Sequence, residues 1–324
     1  MLLALLSLVW GVHWVVVKEG LHYFPPLTYA ALRIGTGLLT LLVILGPSRN
    51  LRRPPRADFP IIASVAILQI AAGILIMNFA LQVVPAGRSS VLVYTMPLWV
   101  AVLLWLGFRV PPRRAEVLGL ALGVIGIVIL VNPSVIDWGR PAEVGGTVAL
   151  VIDAMLWGVV TIHIRRHTWR STPLDLQPWM LLTALVPVLV AALLFEPGAP
   201  IHWDVGAVLV LLYSGPLATA FAYWASQSIT RSLGPISSAM GFLATPIVGL
   251  VAGALILGEK LELADLAGFG LVILGIAAAT LVPTRRKAPE PVEAAVGGVG
   301  VEGGRAVVDH LGGGQVWVRD HRRR

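Results

Sequence analysis

Ten apolar stretches, near 2–17, 27–46, 59–83, 88–107, 115–132, 145–164, 176–195, 205–229, 236–257 and 264–282, account for most of this chain. Crossing about 30 Å of hydrocarbon takes roughly 20 apolar residues of helix, so each stretch is long enough for one crossing and none for two. Composition agrees, because 57% of residues are hydrophobic and only 13% are charged, about half the charged share of a soluble domain. The sequence therefore reads as an all-α integral membrane protein with ten transmembrane helices. The first stretch begins at Met1 without a basic n-region or a small-residue cleavage site. It is expected to be a retained span, not a signal peptide, with room for a few residues upstream. The chain has no cysteine, which excludes disulfides, thiol chemistry and thiolate metal sites.

Lysine and arginine in short loops stay on the cytoplasmic side of a membrane. With the amino terminus inside, the inner loops hold Arg49, Arg52, Arg53, Arg56, Arg109, Arg113, Arg114, Arg165, Arg166, Arg170 and Arg231, against only Lys18, Arg88, Arg140 and Lys260 outside. The reading is a multi-pass protein of the plasma membrane with both termini cytoplasmic. The pI near 10.4 then reflects topology and a basic tail. No basic groove with interleaved aromatics suggests nucleic acid as a partner.

The charge pattern also exposes a duplication. Residues 103–129 and 254–278 both read as an apolar run, Leu-Gly, a charged break and a glycine-studded apolar run, but the first break carries Arg109, Arg113 and Arg114 while the second carries Glu259, Glu262 and Asp265. Trp10-Gly11 recurs as Trp157-Gly158 and Pro26-Leu27 as Pro173-Leu174, both at an offset of 147; Met96-Pro97-Leu98 recurs as Thr245-Pro246-Ile247 at 149. Gly119 and Gly126 recur as Gly268 and Gly275. A unit of five spans repeated in tandem enters the membrane in opposite senses, so equivalent loops face opposite sides and carry opposite charge. The expected organisation is two inverted five-helix repeats, 1–134 and 145–282. The tail, 283–324, has glycine-rich segments and no apolar period after Arg285-Arg286-Lys287, which reads as a stop-transfer cluster followed by disorder.

The sequence resembles the EamA-type drug/metabolite transporters in Trp10-Gly11, in Pro25-Pro26-Leu27 followed by Arg33, in Met96-Pro97-Leu98, and in Leu257-Gly258-Glu259-Lys260. The resemblance covers about residues 1–282. It implies a ten-helix exporter or facilitator of small metabolites, amino acids among them, working by alternating access at the repeat interface, or alternatively a multidrug efflux protein. The acidic residue expected after Leu-Gly is Glu259 in the second repeat but Phe108 in the first, so no role for a first glutamate carries over.

Ionisable and polar groups at membrane depth are costly and usually face a partner or a wet cavity. Trp10, His13 and Trp14 share one helical face, which lines a pathway unless Trp14 belongs to the interfacial aromatic belt and His13 bonds a neighbouring helix. From the ends of their spans, Asp153 lies about 12 Å deep and Arg33 about 9 Å. An Arg33–Asp153 ion pair follows, either as a helix lock or as a pair that opens to a zwitterionic substrate. If a proton is exchanged, His13 is the expected site, with Asp153 the other group able to couple. Amides and phenols from the third and eighth spans complete a candidate lining of Trp10, His13, Asn78, Tyr94, Trp157, Tyr213, Tyr223 and Trp224. Each also has a plain alternative as an interhelical hydrogen bond. Pro97 and Pro246 free the carbonyls of Val93 and Phe242. Gly119, Gly123, Gly126, Gly268, Gly270 and Gly275 suit packing helices or the face of a homodimer.

No cofactor or metal is implied. His13, Asp153 and His163 leave an intramembrane enzyme as a remote reading, unsupported by any metal, nucleophile or phosphate-loop motif, and a non-transporting scaffold as another. The partners expected are a small-molecule substrate and the lipid bilayer.

Overall fold

The computed structural model describes residues 1–46, 53–109, 114–131, 140–232, 235–259 and 263–281. Arg49, Arg52, Arg113, Lys260, Glu262 and the tail lie outside them, as do the side chains of Phe242 and Asp265. The described residues form helices and no strand. In chain order these are α1 (Leu2–Gly20), α2 (Pro26–Leu45) and α3 (Arg56–Ala80), then α4, which runs Ala86–Val93, breaks, and resumes as Met96–Phe108. They continue as α5 (Arg114–Val131), α6 (Pro141–Arg166), α7 (Pro173–Phe195), α8 (Val205–Ser232), α9 (Pro235–Ile256) and α10 (Leu263–Leu281). Among the described residues, seven helices are long and apolar enough to cross a membrane, and shorter apolar helices accompany them. The molecule is an all-helical integral membrane protein.

Proline sets several helix starts. Pro26, Pro141 and Pro173 occupy the first turn of α2, α6 and α7, where no amide is needed and φ is already helical. Thr172 and Asp175 add a reciprocal capping box to α7. Carboxylates from elsewhere cap two other starts. Glu196, at the end of α7, accepts the amides of Leu27 at 3.0 Å and Thr28 at 2.8 Å. Glu259, just beyond α9, accepts those of Ala86 at 2.7 Å and Gly87 at 3.0 Å. Each satisfies orphan donors and places negative charge at a positive helix end. At the other end of the bundle, Asp58 in the first turn of α3 pairs with His167 Nε2 at 3.0 Å and accepts the Arg170 amide at 3.1 Å.

Two helices change their winding midway. α3 is π-helical over Val65–Ala71 and α8 over Tyr213–Phe221. In α8 the Thr219 hydroxyl donates to the Ser214 carbonyl five residues back at 2.7 Å, the spacing of the wider turn. α4 breaks at Tyr94 and Thr95, as the bond-removing Pro97 predicts. α9 runs unbroken through Pro246, so the equivalent prolines do not have equivalent effects.

The helices pair as α1 with α9, α2 with α7, α5 with α10, and α4 with both α6 and α9, while the π stretch of α8 packs on α2 and that of α3 on α7. A Cβ on Gly126 would stand 2.7 Å from the Gly268 carbonyl oxygen, and one on Gly275 2.6 Å from that of Gly119. The glycines of α5 and α10 thus allow those two helices to touch, backbone to backbone. Two apolar clusters fill the bundle, one including Ile34, Ile61, Met180 and Val188, the other Val17, Phe24, Leu81 and Leu150. Buried polar residues of α1, α2, α3, α6 and α8 stand beside them.

Candidate functional site

Trp10 of α1, Trp157 of α6 and Tyr223 of α8 meet in one group. The ring centroids are 5.3 Å apart for Trp10–Trp157 and 5.6 Å for Trp10–Tyr223, both edge to face, and 6.0 Å for Trp157–Tyr223. Edge-to-face packing matches each ring's positive edge to a neighbour's negative face and fixes their mutual orientation. The Trp-Gly pairs explain themselves here. The indole points to this group, while the next residue turns toward another helix: a Cβ at Gly11 would run into the Val248 side chain of α9, and one at Gly158 would meet Leu103 Cδ1 of α4 at 3.3 Å.

α1 is sewn to the π stretch of α8 by two reciprocal bonds. Trp10 Nε1 donates to the Ala218 carbonyl at 3.1 Å, and the Tyr213 hydroxyl donates to the Val9 carbonyl at 2.9 Å. Tyr213 also stacks on His13 with centroids 6.0 Å apart. Both nitrogens of His13 are buried and make no hydrogen bond. The neighbouring Trp14 is only 2% exposed and lies in the second apolar cluster. It is a core residue, and the reading of an interfacial belt is corrected.

The proposed Arg33–Asp153 ion pair is not formed. Arg33 Nε donates to Thr219 Oγ1 at 2.9 Å and its Nη1 lies 3.7 Å from Met77 Sδ, whereas Asp153 Oδ1 is buried and makes no hydrogen bond. Matching depth along two helices does not fix the direction in which each face points, and α8 stands against α2 where the carboxylate was expected. Arg33 is 1% exposed and Asp153 2%, so two opposite charges sit in the bundle without an ionic partner among the described residues. Both reach Tyr223 electrostatically, and Asp153 also reaches Tyr94, whose hydroxyl faces Thr245 at the break in α4.

Of the remaining expected lining residues, Asn78 donates to the Pro26 carbonyl at 2.8 Å and keeps Oδ1 unpaired. Tyr223 donates weakly to the Gln69 carbonyl in the π stretch of α3, at 3.4 Å. Trp224 packs on Phe221 at 5.9 Å and, among the described residues, makes no ring contact with the triad. Sequence reasoning missed Thr219, Ser214 and Tyr29: Thr219 accepts from Arg33 and donates to the Ser214 carbonyl, and the hydroxyls of Ser214 and Tyr29 are 2.7 Å apart. It also missed the Gln227–Gln177 bond at 2.9 Å. The Thr219 contacts have no sequence signal, because the π stretch shifts which α8 residues share a face, whereas an amide on the eighth span such as Gln227 is open to an interhelical bond with its partner unspecified. The arrangement offers aromatic faces, a fixed cation, an unpaired carboxylate and an unpaired imidazole. No group of three metal-binding side chains occurs among the described residues.

The model of the EamA-like transporter family matches residues 1–132 and again 144–281. Among curated relatives, an uncharacterised transporter of Bacillus subtilis (strain 168), YoaV, is 26% identical over 281 residues, covering 87% of this chain and 96% of its own. A protein of Salmonella typhimurium named "Probable amino-acid metabolite efflux pump" is 28% identical over 290 residues, covering 84% and 91%. A solved structure described only as the crystal structure of a protein superposes with a TM-score of 0.61 at 20% identity, covering 86% of this chain and 96% of that one. That likeness concerns the fold alone.

Proposed function

Since the chain belongs to the EamA-like transporter family, and so is a membrane transporter and not an enzyme, we propose that it moves small amino-bearing metabolites, such as amino acids or their derivatives, out of the cytoplasm. It works as an exporter or facilitator, by alternating access between two inverted repeats of five helices. The carrying observation is the triad Trp10–Trp157–Tyr223, in which the two repeat-equivalent tryptophans touch, flanked by Arg33 and Asp153, which have no ionic partner among the described residues. Separate buried charges of opposite sign beside aromatic faces complement a zwitterion with an apolar side chain. The name of the Salmonella relative points the same way.

Several features support the inverted repeat. The family model matches twice, over ranges close to 1–134 and 145–282. The π stretches begin at Val65 and Tyr213, an offset of 148 (213 minus 65) like that of the sequence anchors. The principal pairings also exchange when each helix is replaced by its equivalent five places along: α1–α9 becomes α6–α4, α2–α8 becomes α7–α3, and α2–α7 and α5–α10 map onto themselves. A twofold relation of this kind lets one rocking motion open either side in turn. The glycine faces of α5 and α10 are used within the chain, so the transport unit is a single copy, and a homodimer would use other surfaces. With both termini in the cytoplasm of a plasma-membrane protein, the caps Glu196 and Glu259 lie at the outer end.

The test is flux. Purified protein in liposomes is assayed for uptake and efflux of a labelled metabolite panel, with and without a pH gradient. Saturable movement of amino acids, reduced by alanine at Trp10, Trp157 and Tyr223 with expression intact, is the expected result. Movement only of bulky amphipathic drugs would replace this reading with multidrug efflux.

A further inference from the structure

Resting on that reading of the central site, we propose that Asp153 is the group at which a substrate ammonium and a proton displace one another, so that transport of amines is an exchange for protons. Asp153 stands on α6 one turn before Trp157 and faces α3, where Gly73 supplies no side chain. A Cβ placed on Gly73 would be 3.1 Å from Asp153 Oδ1 and 3.2 Å from Trp157 Nε1. Carboxylate oxygen and indole nitrogen therefore both pack closely against the glycine backbone, where any side chain would crowd them. Asp153 is 2% exposed and its Oδ1 makes no hydrogen bond.

The groups facing it from the packed helices are few. α3 presents Gly73, α4 presents Tyr94, and α8 presents Tyr223. Among the described residues these two tyrosines are its titratable neighbours, and neither carries a positive charge. Arg33 is engaged by Thr219 and forms no ion pair with Asp153. A bare carboxylate at this depth is strongly unfavourable, so it must hold a cation. Two cations fit: a proton, and an ammonium that also gains from the faces of Trp157, Trp10 and Tyr223.

The exchange balances. The carboxyl O–H bond breaks as R–NH3+ enters, the proton leaves to cytoplasmic water, and the carboxylate pairs with the ammonium. On the other side the ammonium leaves and the carboxylate takes a proton from external water. A monovalent amine is exchanged without net charge movement, and a zwitterion with one positive charge moving inward. His13, stacked on Tyr213, is not required.

The experiment uses the full chain in detergent and has two independent arms. In infrared difference spectra between acid and alkaline pH without substrate, wild type is expected to show the C=O stretch of a protonated carboxyl, absent in D153N. Persistence of every such band in D153N overturns the proposal. In weakly buffered solution, isoamylamine and leucine are expected to release protons on binding to wild type, and isocaproate to release none. D153N should bind isoamylamine about tenfold or more weakly and release no proton, D153E should keep the release, and G73A should keep the infrared band but weaken amine binding. Isoamylamine binding and proton release unchanged in D153N overturn the assignment while leaving amino-acid transport standing. Liposomes that move no amino compound would remove the transport reading, and the infrared result would still decide what Asp153 holds.

Discussion

Lys18 Nζ lies 2.8 Å from Glu259 Oε1 and donates to it, joining the end of α1 to the turn after α9. The same carboxylate caps α4 through Ala86 and Gly87, so one glutamate holds three helices. Lys18 is 29% exposed and Glu259 12%. The partly wet ion pair is therefore worth little, about 0.5–1 kcal/mol, whereas the charged cap to two amides is worth about 2 kcal/mol. Thermal unfolding in detergent should place E259A well below K18A. Equal losses would mean that the ion pair, not the cap, carries the contact.

Glu259 also predicts a pH effect. Burial alone pushes its carboxyl up, but the hydrogen bonds from Lys18, Gly87 and Ala86 and the lysine's charge outweigh it, and the group is held below its ordinary 4.5. A carboxyl whose folded value is depressed stabilises the fold fully above the ordinary value and loses that contribution as pH falls through the lower folded one. The stability difference between wild type and E259Q, followed by melting temperature, should be constant from neutral pH to about 5 and shrink below it. A difference that widens on acidification would reverse the sign.

The two Trp-Gly pairs make unequal contacts. A Cβ at Gly11 would overlap Val248, while one at Gly158 would find Leu103 Cδ1 at 3.3 Å and the Trp99 Cβ at 3.5 Å. Overpacking a tight helix contact costs about 1–3 kcal/mol. G11A should lower the melting temperature and the yield clearly and G158A only slightly, although the positions are equivalent in sequence. Equal effects in both variants would show that neither helix contact is as unequal as it looks.

How far the sequence carried this structure depended on the physics involved. Spans were legible because hydrocarbon demands long apolar runs, and the Trp-Gly and Met-Pro anchors could be read because they recur. Trp10, Trp157 and Tyr223, whose rings meet in the structure, could be singled out together because polar and aromatic groups at depth are few. Arg33 and Asp153 were found as residues and misread as a pair, because depth is legible along one helix but azimuth depends on how two helices pack. The π stretches hid Thr219, since a helical period of 3.6 does not predict where an extra residue enters a turn. Glu196 as a cap for α2 was invisible because a helix end and its carboxylate are 168 residues apart.

Trp10 and Trp157 should differ in what they stabilise. Trp10 alone of the two donates to the π stretch, at the Ala218 carbonyl. W10F leaves that acceptor unpaired in the bundle and should cost about 1 kcal/mol in thermal stability, whereas W157F should keep the melting temperature. Both should impair amino-acid flux, because each removes part of the ring group. A W157F protein with unchanged flux would remove Trp157 from the site.

The inverted topology can be tested without any substrate. If the repeats enter the membrane in opposite senses, the start of α5 and the start of α10 face opposite sides. Arg114 and Leu263 occupy those starts, and both are exposed. The chain carries no cysteine, so R114C and L263C each introduce a single thiol. In intact cells a membrane-impermeant maleimide should label L263C and not R114C, and R114C should label once the membrane is opened. The arginine-rich loop before α5 then stays inside by the same rule that lets the acidic loop before α10 go out. Labelling of both positions from one side would remove the inverted repeat, and with it the twofold relation between Trp10 and Trp157 on which the alternating-access reading depends.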